Sequence, residues 1–337
     1  MLIRFGVSIP TGREGLMVPT GFASRETIVD VSKLAEGLGY YSVWSNDHIT
    51  TQNYIKQVRP KPSFYDPLIS LAAAAGVTER VKLASGVFVL PWRTPALVVC
   101  AKQLATLDVL SGGRLILGVG TGAYREESDA LHILDRGRRL DEGLRGLREL
   151  FEKPVASFNG KHVKFADVEF YPKPLQKPLP IFIGQHSVIP TVLDRIAEFA
   201  QGWIPGLSPE QFRDAQPKLQ ETLKRYGRSL SEIELVREIS VSLDKDREKA
   251  AAKYKRTPAY THMVSLAKGW GKRPCSFQNT LGKSLIGTVD DVIDGVQAYV
   301  DVNVKHFMLN FAVTTSAELT KDVEAFAKKI MPSFMNK

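Results

Sequence analysis

The chain alternates between short apolar runs and longer segments of helical periodicity, eight times over, and such alternation favours a parallel sheet. The runs at Ile3–Ile9, Tyr41–Trp44, Val81–Leu90, Arg114–Val119, Leu179–Gly184, Gly202–Ile204, Glu234–Leu243 and Lys305–Phe311 read as strands. Helices are expected at Arg25–Leu38, Asp66–Ala75, Pro95–Leu110, Gly137–Phe151, Pro190–Phe199, Ser208–Tyr226, Asp246–Ala267, Val289–Val302 and Ala317–Ile330. The first is typical: Ile28, Val31, Leu34, Ala35 and Leu38 form one stripe, Ser24 is placed to cap its start and Gly39 to end it. Val87–Leu90 and Leu115–Leu117 are apolar without alternation, as strands buried on both faces must be. Eight such units predict an α/β fold, a closed (β/α)8 TIM barrel, and 337 residues suit a single domain, 1–337, with insertions. Residues 154–178 break the rhythm with a hairpin turn at Phe158–Lys161 and several prolines. Residues 269–287 are rich in Gly, Lys and Ser and read as a second inserted loop.

The formal charge is +9, but the basic residues are spread along the chain. The densest stretch, Arg136–Arg148, contains Asp141 and Glu142 and reads as a solvated helix face. No groove-reading motif accompanies it, so a nucleic-acid partner is not expected and a small anionic ligand suits the charge better. Cys100 and Cys275 are the only cysteines and have no metal or redox spacing. Six scattered histidines form no ligand pair, and no Gly-x-Ser-x-Gly elbow occurs, so neither a metal site nor that type of serine hydrolase is expected. Met1 leads directly into a strand, and no apolar run approaches the roughly 18 residues of a membrane helix. The expectation is a cytoplasmic protein without a membrane partner.

In a barrel of this kind the chemistry sits at the C-terminal ends of the strands. Asp47-His48 follows the second strand, where a carboxylate can tune an imidazole for proton transfer; a plain turn is the alternative. Ser85-Gly86 interrupts the apolar third strand, either for close approach of a ligand or as a layer of small residues. Gly118-Val119-Gly120-Thr121-Gly122 matches neither the dinucleotide fingerprint nor a P-loop. It is a ribbon with few side chains, suited to a flat ring system or simply to a tight turn. Gly184-Gln185-His186-Ser187 precedes a helix opened by Pro190, which makes an anion site or an ordinary helix cap.

Together these segments resemble the luciferase-like monooxygenase superfamily across nearly the whole chain. The resemblance rests on the order and spacing of Phe5-Gly6-Val7 with Pro10, Ala35–Tyr40, Val43-Trp44 with Asp47-His48, Tyr65-Asp66-Pro67, Leu104–Arg114 leading into Gly118–Gly122, Arg136–Arg139, and Pro172-Lys173-Pro174 with Pro180. Asp47-His48 and the Leu107–Arg114 run are most similar to members that use the deazaflavin coenzyme F420; close relatives use FMN. The resemblance implies a cofactor ring over strands two to four, a non-prolyl cis peptide at Ser85–Gly86, Asp47 in contact with the cofactor and His48 in proton transfer. Gly120, Thr121 and Gly122 would line the ring or its side chain, and Gly184, Gln185, His186 and Ser187 would hold the phosphate. Some deazaflavin members carry a Glu proton donor after the Thr-Gly pair; here that position is Ala123, and Glu126 and Glu127 are not assigned its role.

Three functions follow. One is hydride transfer between F420 and a small organic substrate. Another is an FMN-dependent monooxygenase served by a separate flavin reductase. The third is a non-catalytic flavin-binding protein. A homodimer is expected by analogy only. The substrate would lie between the 50–63 loop and residues 269–287, near Tyr54, Phe64, Trp270 and Phe277.

Overall fold

The computed structural model describes residues 2–269 and 284–335. Eight parallel strands close a barrel in the order β1 (Arg4–Ser8), β2 (Ser42–Ser45), β3 (Lys82–Ser85), β4 (Leu115–Val119), β7 (Ile181–Ile183), β8 (Gly202–Trp203), β9 (Glu234–Leu243) and β11 (His306–Phe311). Closure is made by the pairing of β11 with β1, which sets His306 opposite Arg4. The expected TIM barrel is therefore the fold.

The 154–178 insertion is the predicted hairpin: β5 (Val155–Asn159) pairs antiparallel with β6 (Lys164–Glu169) as a separate small sheet. Three expectations need correction. The third strand stops at Ser85, and a 3₁₀ segment, Leu90–Ala96, occupies what was read as strand and helix start. The helix expected over Asp246–Ala267 is two, Arg247–Lys255 and Pro258–Gly269, because Pro258 cannot donate to a continuing ladder. Leu285–Gly287, read as loop, is a short strand, β10, beside β9.

The interior of the barrel is filled by Trp44, Ala84, Ile116, Phe182, Ile204, Val236 and Met308, contributed by different strands and packed as one cluster. A larger apolar shell lies between the sheet and the helices. Below the interior cluster, at the strand starts, the buried His306 is fully satisfied: its Nε2 meets Ser42 Oγ at 2.8 Å and its Nδ1 meets Glu234 at 2.8 Å, while Arg4 pairs with Glu234 at 2.6 Å. Gly6 is required there, since a Cβ would come within 2.1 Å of Ser42 Oγ. This plugged end leaves the opposite, C-terminal mouth for chemistry.

Candidate active site

Asp47 and His48 leave β2 at that mouth, as expected, but they face different partners. Asp47 is buried. Its carboxylate accepts both terminal nitrogens of Arg93, at 2.6 and 3.0 Å, and the Val89 amide at 2.8 Å. Burial raises the Asp47 pKa, opposed by the Arg93 charge and hydrogen bonds. The carboxylate thus clamps the segment that follows β3.

That segment contains a non-prolyl cis peptide, at Gly86–Val87 and not at the expected Ser85–Gly86. The Gly86 amide still donates to Ser45 O at 2.8 Å, and Ser85 Oγ donates to Gly118 O at 2.8 Å. Residues up to the Gly86 nitrogen therefore stay in the strand ladder, and the irregular bond falls one residue later. Val87 is thereby laid over two of the predicted glycines. A Cβ on Gly120 would lie 2.8 Å from Val87 Cγ2, and one on Gly184 would lie 2.2 Å from Val87 Cγ1. Gly120 and Gly184 thus meet one side chain, while a Cβ on Gly86 would meet Met308 and Trp44 instead.

Gly122 takes a left-handed conformation, φ +81°, and its carbonyl accepts from Arg136 at 2.8 Å; the Thr121 carbonyl lies 3.4 Å from the same nitrogen. Gln185 is held by Arg195 through its side chain and by Trp203 through its carbonyl, and His186 Nδ1 accepts from the Gly206 amide at 2.6 Å. Ser187 does not cap the next helix, Pro190–Phe199: Ile189 is the N-cap residue and makes no side-chain cap bond.

His48 Nδ1 lies 3.2 Å from each carboxylate oxygen of Glu127, with the Gln52 amide nitrogen at 3.1 Å. Glu127 is buried and also accepts the Ile49 amide at 3.0 Å. A histidine whose Nδ1 donates to a carboxylate leaves Nε2 as the atom available for proton transfer. Glu127 was not read as functional from sequence. It sits on a short polar helix, Arg125–Ala130, with no apolar period to announce it. Beside His48, the rings of Phe64 and Tyr124 lie 5.5 and 5.8 Å away. Phe64 thus packs beside His48, and the Tyr54 ring lies 6.1 Å from that of Tyr124; Trp270 and Phe277 lie outside the described residues.

Two further groups were not foreseen. His262 is buried on Pro258–Gly269 and meets Tyr54 Oη at 2.6 Å and Tyr124 Oη at 3.0 Å. Burial, with the His48 and Arg13 charges, depresses its pKa to about 3, so it stays neutral. Burial also lifts Tyr54 to about 12 and raises Tyr124. Arg13, in the loop after β1, is buried, donates to Asn46 Oδ1 at 2.5 Å and lies 3.5 Å from Glu238. Burial lowers its pKa, opposed by Glu238.

A family profile, that of the luciferase-like monooxygenases, matches residues 3–306. The chain belongs to this family. It is 25% identical to a 5,10-methylenetetrahydromethanopterin reductase of Methanopyrus kandleri over 91% of this chain and 94% of that one. It is 31% identical to an F420-dependent glucose-6-phosphate dehydrogenase of Microbacterium testaceum over 67% of each chain. Its fold matches the FMN-bound oxygenating constituent of 3,6-diketocamphane monooxygenase from Pseudomonas putida, at a TM-score of 0.74, 16% identity and 99% coverage of both chains. The chain is a redox enzyme of the luciferase-like class, whose relatives use a flavin or a deazaflavin.

Proposed function

We propose that this enzyme transfers hydride between coenzyme F420 and a small organic substrate, with His48 moving the accompanying proton. The observation that carries the reading is the His48–Glu127 pair at the barrel mouth; with Nδ1 held by the carboxylate, Nε2 would be the atom that serves a substrate. The F420-dependent relative at 31% identity supports the choice of deazaflavin over FMN.

The residues present suit a flat heterocycle edged with hydrogen-bonding groups. Ser8 Oγ, Arg13 Nε and Nη1, Gln52 Oε1 and Asn310 Oδ1 are buried without hydrogen-bond partners among the described residues. All lie at or beyond the C-terminal halves of their strands, and an unmet buried polar atom costs about 1–3 kcal/mol. The set contains both donors and acceptors, as a pyrimidinedione edge requires. Gly120, Thr121 and Gly122 would flank the ring or its side chain, and the start of Pro190–Phe199, with Gly184–Ser187, would take the phosphate. Asp47 supports this arrangement indirectly, by fixing the Val87–Arg93 segment through its bonds to Val89 and Arg93. When bound, the deazaflavin would accept or donate two electrons as hydride and react little with oxygen. His48 takes or returns the substrate proton, and Glu127 keeps the ring oriented.

The test is a fluorescence titration with F420 and FMN in parallel. Micromolar or tighter binding of F420, with FMN weaker by tenfold or more, is the expected result. A preference for FMN would move the enzyme to the oxygenases, with a partner reductase. Binding of neither would leave a protein without flavin chemistry.

A further inference from the structure

A second concavity lies where the start of the helix Leu97–Leu110 faces the tip of the hairpin β5–β6. Thr94–Val99 and Lys161–Phe165 line a cavity of about 400 Å³, and none of the candidate site residues borders it. Both segments rest on the helix Arg136–Glu152, which two glycines let them approach. A Cβ on Gly143 would lie 3.4 Å from Thr94 Cγ2, and one on Gly146 would lie 2.5 Å from Leu97 Cδ2 and 3.3 Å from Val163 Cγ1.

One side of this cavity is positive. The helix Leu97–Leu110 starts there, and its N-cap residue, Ala96, has no side chain that can cap it. That end of a helix carries partial positive charge. Lys161 and Lys164 are exposed at the rim, and Arg139 Nη1 donates to Thr94 Oγ1 at 2.9 Å. The His162 side chain is only 9% exposed, and its Nε2 is buried without a hydrogen-bond partner among the described residues. An unmet buried polar atom is costly, and a ligand would satisfy it. Two carboxylates lie nearby. Glu142 is committed to the backbone, accepting the His162 amide at 2.7 Å and the Val163 amide at 3.1 Å. Asp135 is a competitor: its Oδ2 lies 3.6 Å from Lys161 Nζ and 3.7 Å from His162 Nε2, both beyond hydrogen-bond reach. The rest of the lining is apolar, with Leu97, Val98 and Phe165.

We propose that this cavity binds a small organic phosphate. The phosphate lies between the helix start, Lys161, Lys164 and the His162 ring, and its apolar body lies against Leu97, Val98 and Phe165. His162 Nε2 donates to a phosphate oxygen or accepts from the hydroxyl of a monoanionic phosphate, so either tautomer is satisfied. The site shares no residue with the one proposed for the cofactor phosphate at Gly184–Ser187.

The test follows the His162 ring by NMR of the full chain labelled at its histidine ring carbons, the signal being assigned by its loss in His162→Gln. Inorganic phosphate and phenyl phosphate are titrated at constant ionic strength, with sodium chloride as the control. Both phosphates should shift the His162 signal saturably, with dissociation constants of about 1 mM or tighter. Phenyl phosphate should bind about threefold more tightly, through its apolar ring. Lys161→Ala combined with Lys164→Ala, a change at two exposed positions, should weaken phosphate by about tenfold. Asp135→Asn removes the competing carboxylate and suits the left-handed backbone there, φ +54°. It should tighten phosphate by about threefold. The other five histidine signals report that each variant keeps its fold. The proposal is overturned if phosphate leaves the His162 signal unmoved, if chloride reproduces the shift, or if either set of charge changes leaves phosphate affinity at the wild-type value. Phenyl phosphate binding no more tightly than phosphate would overturn the apolar half of the site.

Discussion

His48 and Glu127 are 79 residues apart in sequence, yet the imidazole Nδ1 sits 3.2 Å from both oxygens of the carboxylate. The two come from different βα units, and the buried carboxylate takes the Ile49 amide as well. It therefore fixes the loop after β2 and the ring that loop carries.

Removing the ring should separate binding from chemistry. His48→Ala is expected to bind F420 as wild type does and to lose about 10²- to 10⁴-fold in turnover, the usual weight of a general acid–base. F420 titration and single-turnover absorbance of the cofactor measure the two effects. Unchanged turnover would refute the assignment.

Glu127→Ala removes an acceptor from two donors in a buried place. A loss of about 2–4 kcal/mol in unfolding free energy is expected, larger than for an exposed carboxylate. Urea denaturation measures it. A change below about 0.5 kcal/mol would mean that the pair does not hold the loop.

Arg93→Ala would strand the Asp47 carboxylate, and about 3–5 kcal/mol should be lost at neutral pH. The pH dependence has a definite sign. Burial already raises the folded pKa of Asp47, so the native state favours its protonated form. The contribution of such a group is present at low pH and declines as pH rises through the folded pKa. Without Arg93 the folded pKa rises further, and the deficit relative to wild type should be smaller at pH 4.5 than at pH 7.5. An equal deficit at both would contradict the account.

His262 should act with the opposite slope. Its folded pKa, about 3, lies below its ordinary value of 6.5. Between those limits the unfolded chain takes up a proton that the native state refuses, so stability falls as pH falls. His262→Gln should flatten the wild-type decline between pH 6.5 and 4.5, approaching a tenfold smaller change in folding equilibrium per pH unit. Parallel slopes in urea melts would exclude a buried neutral imidazole.

Val87 and Gly184 should couple. Gly184→Ala places a methyl 2.2 Å from Val87 Cγ1, and about 1–3 kcal/mol of destabilisation is expected. Trimming the neighbour with Val87→Ala should make the same Gly184→Ala change nearly neutral, a coupling that a double-mutant cycle reads directly. Additive effects would show that Val87 does not fill that space.

The sequence by itself determined the barrel. Its evidence is local: apolar runs, amphipathic stripes such as Ile28, Val31 and Ala35, and caps such as Ser24, whose hydroxyl accepts the Thr27 amide at 3.2 Å. These are set by residues within a few positions of one another, and eight βα units leave few ways to close a sheet. Asp47 and His48 were legible because they leave a recognisable strand. Their partners were not, because Arg93, Glu127 and Tyr124 come from other units, and nothing local marks which of many charged or aromatic residues will be turned inward. Only the tertiary structure decided that Asp47 clamps the chain after β3 while His48 faces Glu127. It also moved the cis bond to Gly86–Val87: the ladder bond from the Gly86 amide to Ser45 holds the chain regular up to that nitrogen. Periodicity records which face of an element is buried; the identity of the group it meets is a property of the closed barrel.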